Sequence, residues 1–377
     1  MDFALTQPQE ELSSLSRRIL TDHATPDRLT ELEQAGQGFD ATLWARLAEA
    51  GILAAALPEA AGGDGYGLAE QCSILTEIGR AVARVPYLST IVLGASAIAN
   101  FGTDAQVKRW AAPAAAGNLV LTAALAEPDG DDPRTPALRA ERSAGGWRLH
   151  GTKTAVPAGE AACLFLVPAA TENGTAVFCV EPDDPGVSVE PQLLTEGHGS
   201  ARLELDGAQV SDDRMLGQPR SEIADWLAAR ATVGICATQL GVTERALELT
   251  AEHARTRQQF GRPIGAFQAV AQRLADAYID VEAIRLTMWQ AAWRLETGLP
   301  CLEEIPTAKF WAADGGHRVA HTAVHIHGGV GIDTSYPLHR YFIAAKQNEF
   351  ALGGATTQLR RLGAALAGGL TGGLASG

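Results

Sequence analysis

The chain has 377 residues, 46% of them apolar and 20% charged, and 30 Lys and Arg stand against 44 Asp and Glu for a formal charge of −14. That much apolar material builds a large buried interior in two or three domains and excludes a disordered chain or a coiled coil. So acidic a balance speaks against nucleic acid and anionic membranes as partners, because phosphate binding draws on clustered basic surface.

Residues 1–118 read as a helical domain. Leu43 and Leu47, then Leu68, Leu75, Ile78 and Val82, recur at helical steps with polar residues between them. Pro58-Glu-Ala-Ala-Gly-Gly-Asp-Gly-Tyr-Gly67 is too rich in glycine to continue a helix and reads as a loop, while Thr103-Asp-Ala-Gln106 has the form of a capping box. From 119 to 220 the texture changes to short apolar runs broken by turn residues. Trp147-Arg-Leu-His150, Cys163-Leu-Phe-Leu-Val167 and Ala176-Val-Phe-Cys-Val180 are strand candidates; Asn173-Gly174 marks a hairpin, and Leu203-Glu-Leu205 alternates ahead of Asp206-Gly207. This pattern predicts a small antiparallel barrel or sandwich.

Helices return in residues 221–377 and become long. Phe267, Val270, Leu274, Tyr278, Val281, Ile284, Met288 and Leu295 form a continuous stripe that fits a bundle helix, with burial in an oligomer also open, and Gly298 stands where a C-cap is expected. The glycine- and alanine-rich tail from Ala364 is expected to fray. The fold class is thus α+β and multidomain: helical domain, β-domain, long-helix bundle. No apolar run approaches the roughly 20 residues needed to span a bilayer. The opening Met1-Asp-Phe-Ala-Leu-Thr-Gln7 lacks the basic stretch and apolar core of a signal peptide. Five scattered cysteines without a CxxC pair favour a reducing cytoplasm.

Several segments, taken in order and spacing, resemble the acyl-CoA dehydrogenase family over nearly the whole chain. They are Leu57-Pro-Glu-Ala-Ala-Gly-Gly63, Ala124-Leu-Ala-Glu-Pro128, Arg255-Thr-Arg-Gln-Gln-Phe-Gly-Arg-Pro-Ile-Gly-Ala-Phe-Gln268 and His327-Gly-Gly-Val-Gly331. The resemblance implies an FAD enzyme that oxidises the Cα–Cβ bond of an acyl-CoA thioester. A glutamate removes the α-proton and the β-hydrogen leaves as hydride to the flavin, with donors on the thioester oxygen where enolate charge develops.

Against that pattern both family locations of the glutamate are empty. The C-terminal location falls, by register, on Leu352, Gly353 or Gly354; the location on the preceding long helix falls on Ala231 or next to it. Glu349 is the nearest replacement carboxylate and stands about a helix turn out of place, and Glu222 and Asp225 lie too early in their helix. The family's Gly-x-Gly-Ser-Asp is replaced by Asp129-Gly-Asp-Asp132, and its flavin-covering Trp-Ile-Thr-Asn by Ala155-Val-Pro-Ala158. Retained are positions that, in the family, reach across a dimer interface to the nucleotide end of FAD: Arg257, Gln259, Phe260 and Gln268, then Gly328 and Gly329, with His325 standing where the family has a Gln. A solvated basic turn and a helix C-cap are the plain alternatives for Arg257 and for Gly328-Gly329.

The resemblance therefore leans toward the non-catalytic subunit of a heteromeric α2β2 enzyme acting on steroid side-chain CoA thioesters of cholesterol breakdown. Such a chain completes the FAD site of a homologous glutamate-bearing partner, which binds most of the acyl-CoA. A self-sufficient homotetramer with a displaced base, or a redox-inactive scaffold, are the competing expectations. Of His317, His321, His325 and His327 the first three repeat at i, i+4 and i+8, but without an acid or thiol to complete a ligand set they read as packing and hydrogen-bonding residues. Trp289 and Trp293 read as core or interface.

Overall fold

The computed structural model describes residues 6–130, 132–218 and 221–372. The chain packs into two compact bodies. One joins Arg18–Gln71 with Arg84–Ala231; the other joins the residues before them, Cys72–Ala83 and everything from Thr232 onward.

In the first body the helices are α1 (Gln7–His23, divided between the bodies), α2 (Pro26–Gln34), α3 (Ala41–Glu49), α4 (Leu68–Ala81, also divided), α5 (Ser96–Phe101), α6 (Asp104–Gln106) and α7 (Ala112–Ala115). Asp40 starts α3 by accepting from the backbone N–H of Thr42 and Leu43, and the Arg28 guanidinium grips the same carboxylate. Burial works against ionisation of Asp40, but Arg28 and the two N–H groups prevail and hold its pKa below the usual range. The helix then buries Leu43, Trp44 and Leu47. Thr103 and Gln106 form the expected capping box, and the Gln106 amide goes on to donate to the carbonyls of Asp213 and Met215, tying the helices to the sheet.

The sheet comprises β1 (Leu121–Ala123), β2 (Arg139–Ser143), β3 (Gly146–Val156), β4 (Leu164–Thr171), β5 (Gly174–Val180), β6 (Val187–Leu194), β7 (Gly197–Ser211) and β8 (Met215–Leu216), in the order β6-β7-β3-β2-β4-β5-β8 with β1 beside β4. It is mixed rather than purely antiparallel, since β1 and β2 both meet β4 in parallel. Trp147, Leu149, Phe165, Val167, Phe178, Leu203 and Leu205 fill its core. Two expected turns are placed differently. Gly174 pairs with Thr171, so Glu172-Asn173 forms the loop and Gly174, at φ 110°, opens the return strand. Asp206-Gly207 does not end a strand: β7 runs through it, with Gly207 at φ 67° where the register against β3 shifts.

The second body contains most of α8 (Ser221–Thr256), a small hairpin of β9 (Gln258–Gln259) and β10 (Arg262–Pro263), then α9 (Gln268–Glu296), α10 (Glu304–Phe310), α11 (Gly316–His327), α12 (Leu338–Phe350) and α13 (Ala355–Gly372). α13 carries the tail as far as Gly372, where fraying was expected from Ala364; the final five residues lie outside the described ones. α9 ends in a Schellman motif: Gly298 at φ 69° donates to the Leu295 carbonyl and Leu299 to that of Arg294. Its apolar stripe divides. Val281, Ile284 and Met288 are buried, whereas Tyr278 on the stripe and Ile279 beside it are exposed. Where α4 passes α8, a Cβ on Gly241 would stand 1.9 Å from the Thr76 carbonyl oxygen and one on Gly79 would stand 2.1 Å from that of Thr238. Arg80 bridges the same helices to Glu244 and Glu248, and the Tyr341 hydroxyl donates to the Arg80 carbonyl at 2.8 Å.

That crossing exists only because two glycines admit it. Gly241→Ala is expected to cost about 1–3 kcal/mol of stability through overpacking, read as a lower denaturation midpoint of the full chain. Gly363→Ala on α13, where an added Cβ meets nothing, is expected to gain about 0.5–1 kcal/mol from helix propensity.

Candidate functional site

In the first body, the Ala124-Leu-Ala-Glu-Pro128 turn is fixed by a buried ion pair. Lys153 on β3 is fully buried, and its ammonium donates to Glu127 at 2.7 Å. Glu127 also accepts from the N–H groups of Ala137 and Leu138 at 2.6 and 3.0 Å. Burial alone would raise the Glu127 pKa, yet Lys153 and these two donors bring it below the usual range; burial outweighs Glu127 at Lys153 and lowers that pKa. Of the acidic run that follows, Asp131 lies outside the described residues, and Asp132 is taken up by Arg134 at 2.6 and 2.7 Å. Burial raises the Asp225 pKa, with Arg134 opposing.

Downstream of β3, Ala155 and Ala158 both adopt left-handed backbone, at φ 49° and 53°. Residues with a Cβ occupy that region only when their surroundings enforce it. Here the Gln192 side chain accepts from Ala155 N–H at 2.7 Å, and the Thr122 hydroxyl donates to the Pro157 carbonyl at 2.6 Å. The segment presents no aromatic ring and no hydroxyl.

Ala231, the last residue of the first body, is buried on α8 with no polar atom in its side chain; the residues that follow belong to the second body. Leu352, at φ 57°, and Gly353, at φ 92°, form the turn between α12 and α13. The Gln358 amide, itself 1% exposed, donates to the carbonyls of both at 3.0 and 2.9 Å, and Arg361 donates to that of Leu352. Fully buried Lys309 donates to the carbonyls of Asn348 and Glu349, and the Asn348 amide donates to Gln239 at 2.9 Å. The Glu349 carboxylate is engaged by Lys346 at 2.6 Å and by His317 at 3.1 Å. No signal in the sequence points to Lys309, Gln358 or Gln239, because isolated polar residues on helical faces reveal a role only once burial is known.

The structure brings Arg257, Gln259, Phe260 and Gln268 together around the β9–β10 hairpin. Phe260 at φ 53° and Gly261 at φ 78° make its two-residue turn. Phe260, 92% exposed, meets Phe267 edge to face, and the Arg262 guanidinium lies over Phe267 at 4.3 Å. Arg257 closes the hairpin through its backbone, its carbonyl accepting from Ile264. Among the described residues the exposed Arg257 forms no ion pair, and the Gln259 and Gln268 side chains form no hydrogen bond. Gly328 caps α11 at φ 64°, its N–H donating to the Val324 carbonyl, and a Cβ on Gly328 or Gly329 would meet only open space. A free guanidinium with a bare glycine turn fits a phosphate group. His325 is exposed on the last turn of α11, lining a groove of about 1000 Å³ between α9 and α11 with Arg273, Asp276, His317 and Arg318. Among the described residues no group of three or more His, Cys, Asp or Glu is placed to hold a metal. No described helix is long and apolar enough to cross a membrane.

A helical N-terminal region, a central mixed sheet and a C-terminal helical array, with a basic hairpin and a glycine turn after α11, define an oxidoreductase scaffold of one kind. Residues 6–118 match the N-terminal domain of acyl-CoA dehydrogenase and residues 223–367 its C-terminal domain, and the chain belongs to the acyl-CoA dehydrogenase family. Acyl-CoA dehydrogenase FadE27 of Mycobacterium tuberculosis (strain ATCC 25618 / H37Rv) is 50% identical over 376 residues, covering 97% of this chain and 99% of the relative. A chain of the ChsE4-ChsE5 complex from Mycobacterium tuberculosis superposes with a TM-score of 0.93 at 49% identity, covering 97% of this chain and 99% of that one. A chain of a variant Tcur3481-Tcur3483 steroid ACAD does so with a TM-score of 0.91 at 42% identity, covering 96% and 98%. At 22% identity, a glutaryl-CoA dehydrogenase from Mycobacterium smegmatis solved with FADH2 shares the fold, with a TM-score of 0.88 and coverage of 97% and 95%.

Replacing Glu127 by Gln leaves Lys153 buried without its counter-charge. At pH 7 the variant is expected to be less stable by about 3–5 kcal/mol. Because the folded Glu127 pKa lies below its ordinary value near 4.5, the pair's contribution is complete above that pH and disappears as pH falls through the folded value. Denaturant midpoints of wild type and Glu127→Gln should therefore converge in acid.

Proposed function

We propose that this chain is the non-catalytic subunit of a heteromeric, FAD-dependent acyl-CoA dehydrogenase that forms the α,β-unsaturated thioester, acting on steroid side-chain CoA esters. The observation that carries this reading is an asymmetry. Both positions where the family keeps its glutamate lack a proton acceptor, while a free cation, amides and a glycine turn stand ready for the nucleotide end of the cofactor. In support, two neighbours at 49% and 42% identity come from complexes named for two components, and one of them is called a steroid ACAD.

When bound, FAD accepts the β-hydrogen of the acyl group as hydride. The residues of this chain bind and orient. Arg257 offers paired N–H donors to phosphate oxygens, the Cβ-free turn at Gly328 and Gly329 lets the same anion come close to the backbone, Gln259, Gln268 and His325 supply hydrogen bonds, and Phe260 offers an aromatic face. The α-proton goes to a glutamate of a homologous partner in an α2β2 assembly, which holds the isoalloxazine and most of the acyl-CoA. On this reading the protein works in the cytoplasm, and its parts are 1–118, 119–220 and 221–377. A displaced base at Glu349 is the second reading; the bonds of its carboxylate to Lys346 and His317 count against it.

Produced alone, the chain should retain little FAD; co-produced with its glutamate-bearing partner, it should yield a complex with half as many flavins as chains, counted by flavin absorbance against protein. A lone chain that holds one flavin and dehydrogenates an acyl-CoA would sink the proposal. In the complex, Arg257→Ala should weaken flavin retention by about 10- to 100-fold, the equivalent of a lost hydrogen bond to a charged group. Glu349→Gln should leave turnover of a steroid side-chain CoA thioester in place.

A further inference from the structure

Two histidines lie directly behind the cradle. His253 stands one helical turn before Arg257 on α8, whose backbone N–H donates to its carbonyl, and His327 ends α11 immediately before Gly328. Their rings stack with centroids 4.2 Å apart and planes 24° from parallel. The His327 Nδ1 lies 2.8 Å from the Ala323 carbonyl, which can only accept, so Nδ1 carries the hydrogen. Nε2 is then the lone-pair atom of the neutral ring and faces the Tyr336 hydroxyl at 3.3 Å. His327 is buried with both nitrogens engaged; His253 is half-buried, and among the described residues its ring forms no hydrogen bond. The stack thus joins the segment that carries Arg257 to the one that carries Gly328 and Gly329.

We propose that His253 and His327 position this anion cradle, and that His253 takes up a proton when a diphosphate occupies it. The inference rests on the cradle reading given above. In the free chain burial, then His327, then Arg257 push the His253 pKa below its ordinary value, and burial lowers that of His327 against the pull of the Ala323 carbonyl. Two neutral rings therefore stack at neutral pH. A diphosphate paired with Arg257 cancels the repulsion from that guanidinium and attracts a second cation one turn away. The proton goes to the less buried ring, where an imidazolium lies on the π face of its neutral neighbour. Other charges near the stack are Glu252 and Arg245 on α8, which act in opposite senses on Tyr336, and Asp333 beyond α11, which is occupied by Ser335. With the bound pKa above the free one, affinity for the anion rises as pH falls through the imidazole range.

The test uses the full chain with isotope-labelled histidine and ADP-ribose, whose diphosphate is a diester and does not itself titrate near neutral pH. Imidazole NMR titrations of the wild type should show the His253 midpoint rising by about one unit with saturating ADP-ribose. Binding should be several-fold tighter at pH 6 than at pH 8. In His253→Phe, which keeps a ring in the stack, that pH dependence should vanish while binding persists. If Arg257→Ala weakens ADP-ribose binding but the His253 midpoint does not move in the wild type, the proton linkage is overturned and the cradle stands. If ADP-ribose binds Arg257→Ala as well as it binds wild type, the cradle and this inference fall together.

Discussion

An ammonium buried from water has to be met by oxygen, and Lys309 is met by the last carbonyls of a helix. Those of Asn348 and Glu349 lie 3.0 and 3.1 Å from its Nζ, at the end of α12 where the negative pole of the helix gathers. Gln239 holds Asn348 from one side and Gln358 fastens the carbonyls of Leu352 and Gly353 from the other. Backbone acceptors at positions 348, 349, 352 and 353 are thus all engaged, and the turn after α12 is rigid. It offers no carboxylate.

The opposite condition holds at the β9–β10 hairpin and the glycine turn after α11. There a guanidinium and two primary amides have no partner within the described chain, and no Cβ shields the glycine turn. Buried polar groups that satisfy one another stabilise a fold, whereas exposed groups held in place without partners are available to a ligand. In the first body, Arg134 draws the Asp132 carboxylate toward itself, and Lys153 does the same for Glu127. Charge there is neutralised internally rather than offered outward.

Local chemistry made much of this readable before any coordinates. The Thr103–Gln106 box, the glycine closing α9 and the glycine-rich loop before α4 each depend on residues adjacent in sequence, and each formed as expected. Features set by distant partners did not show. Asp206-Gly207 has the composition of a turn, but pairing with β3 carries β7 through it with a bulge. Parallel pairing of β1 with β4 leaves no periodic trace that separates it from an antiparallel neighbour. The stripe on α9 is continuous in sequence, yet only its second half finds helices to pack against within this chain. That Gly353 and Ala231 carry no proton acceptor is legible in the sequence, as is the cluster from Arg257 to Gln268; the Lys309 and Gln358 network that locks the turn is not.

The φ of 92° at Gly353 restricts which residue can stand there. A glutamate placed there would inherit backbone that only glycine occupies without strain, next to Leu352, already left-handed at φ 57°. Installing a carboxylate at that point would take more than a new side chain: the turn itself would have to relax, and Gln358 and Arg361 would have to release the carbonyls they hold.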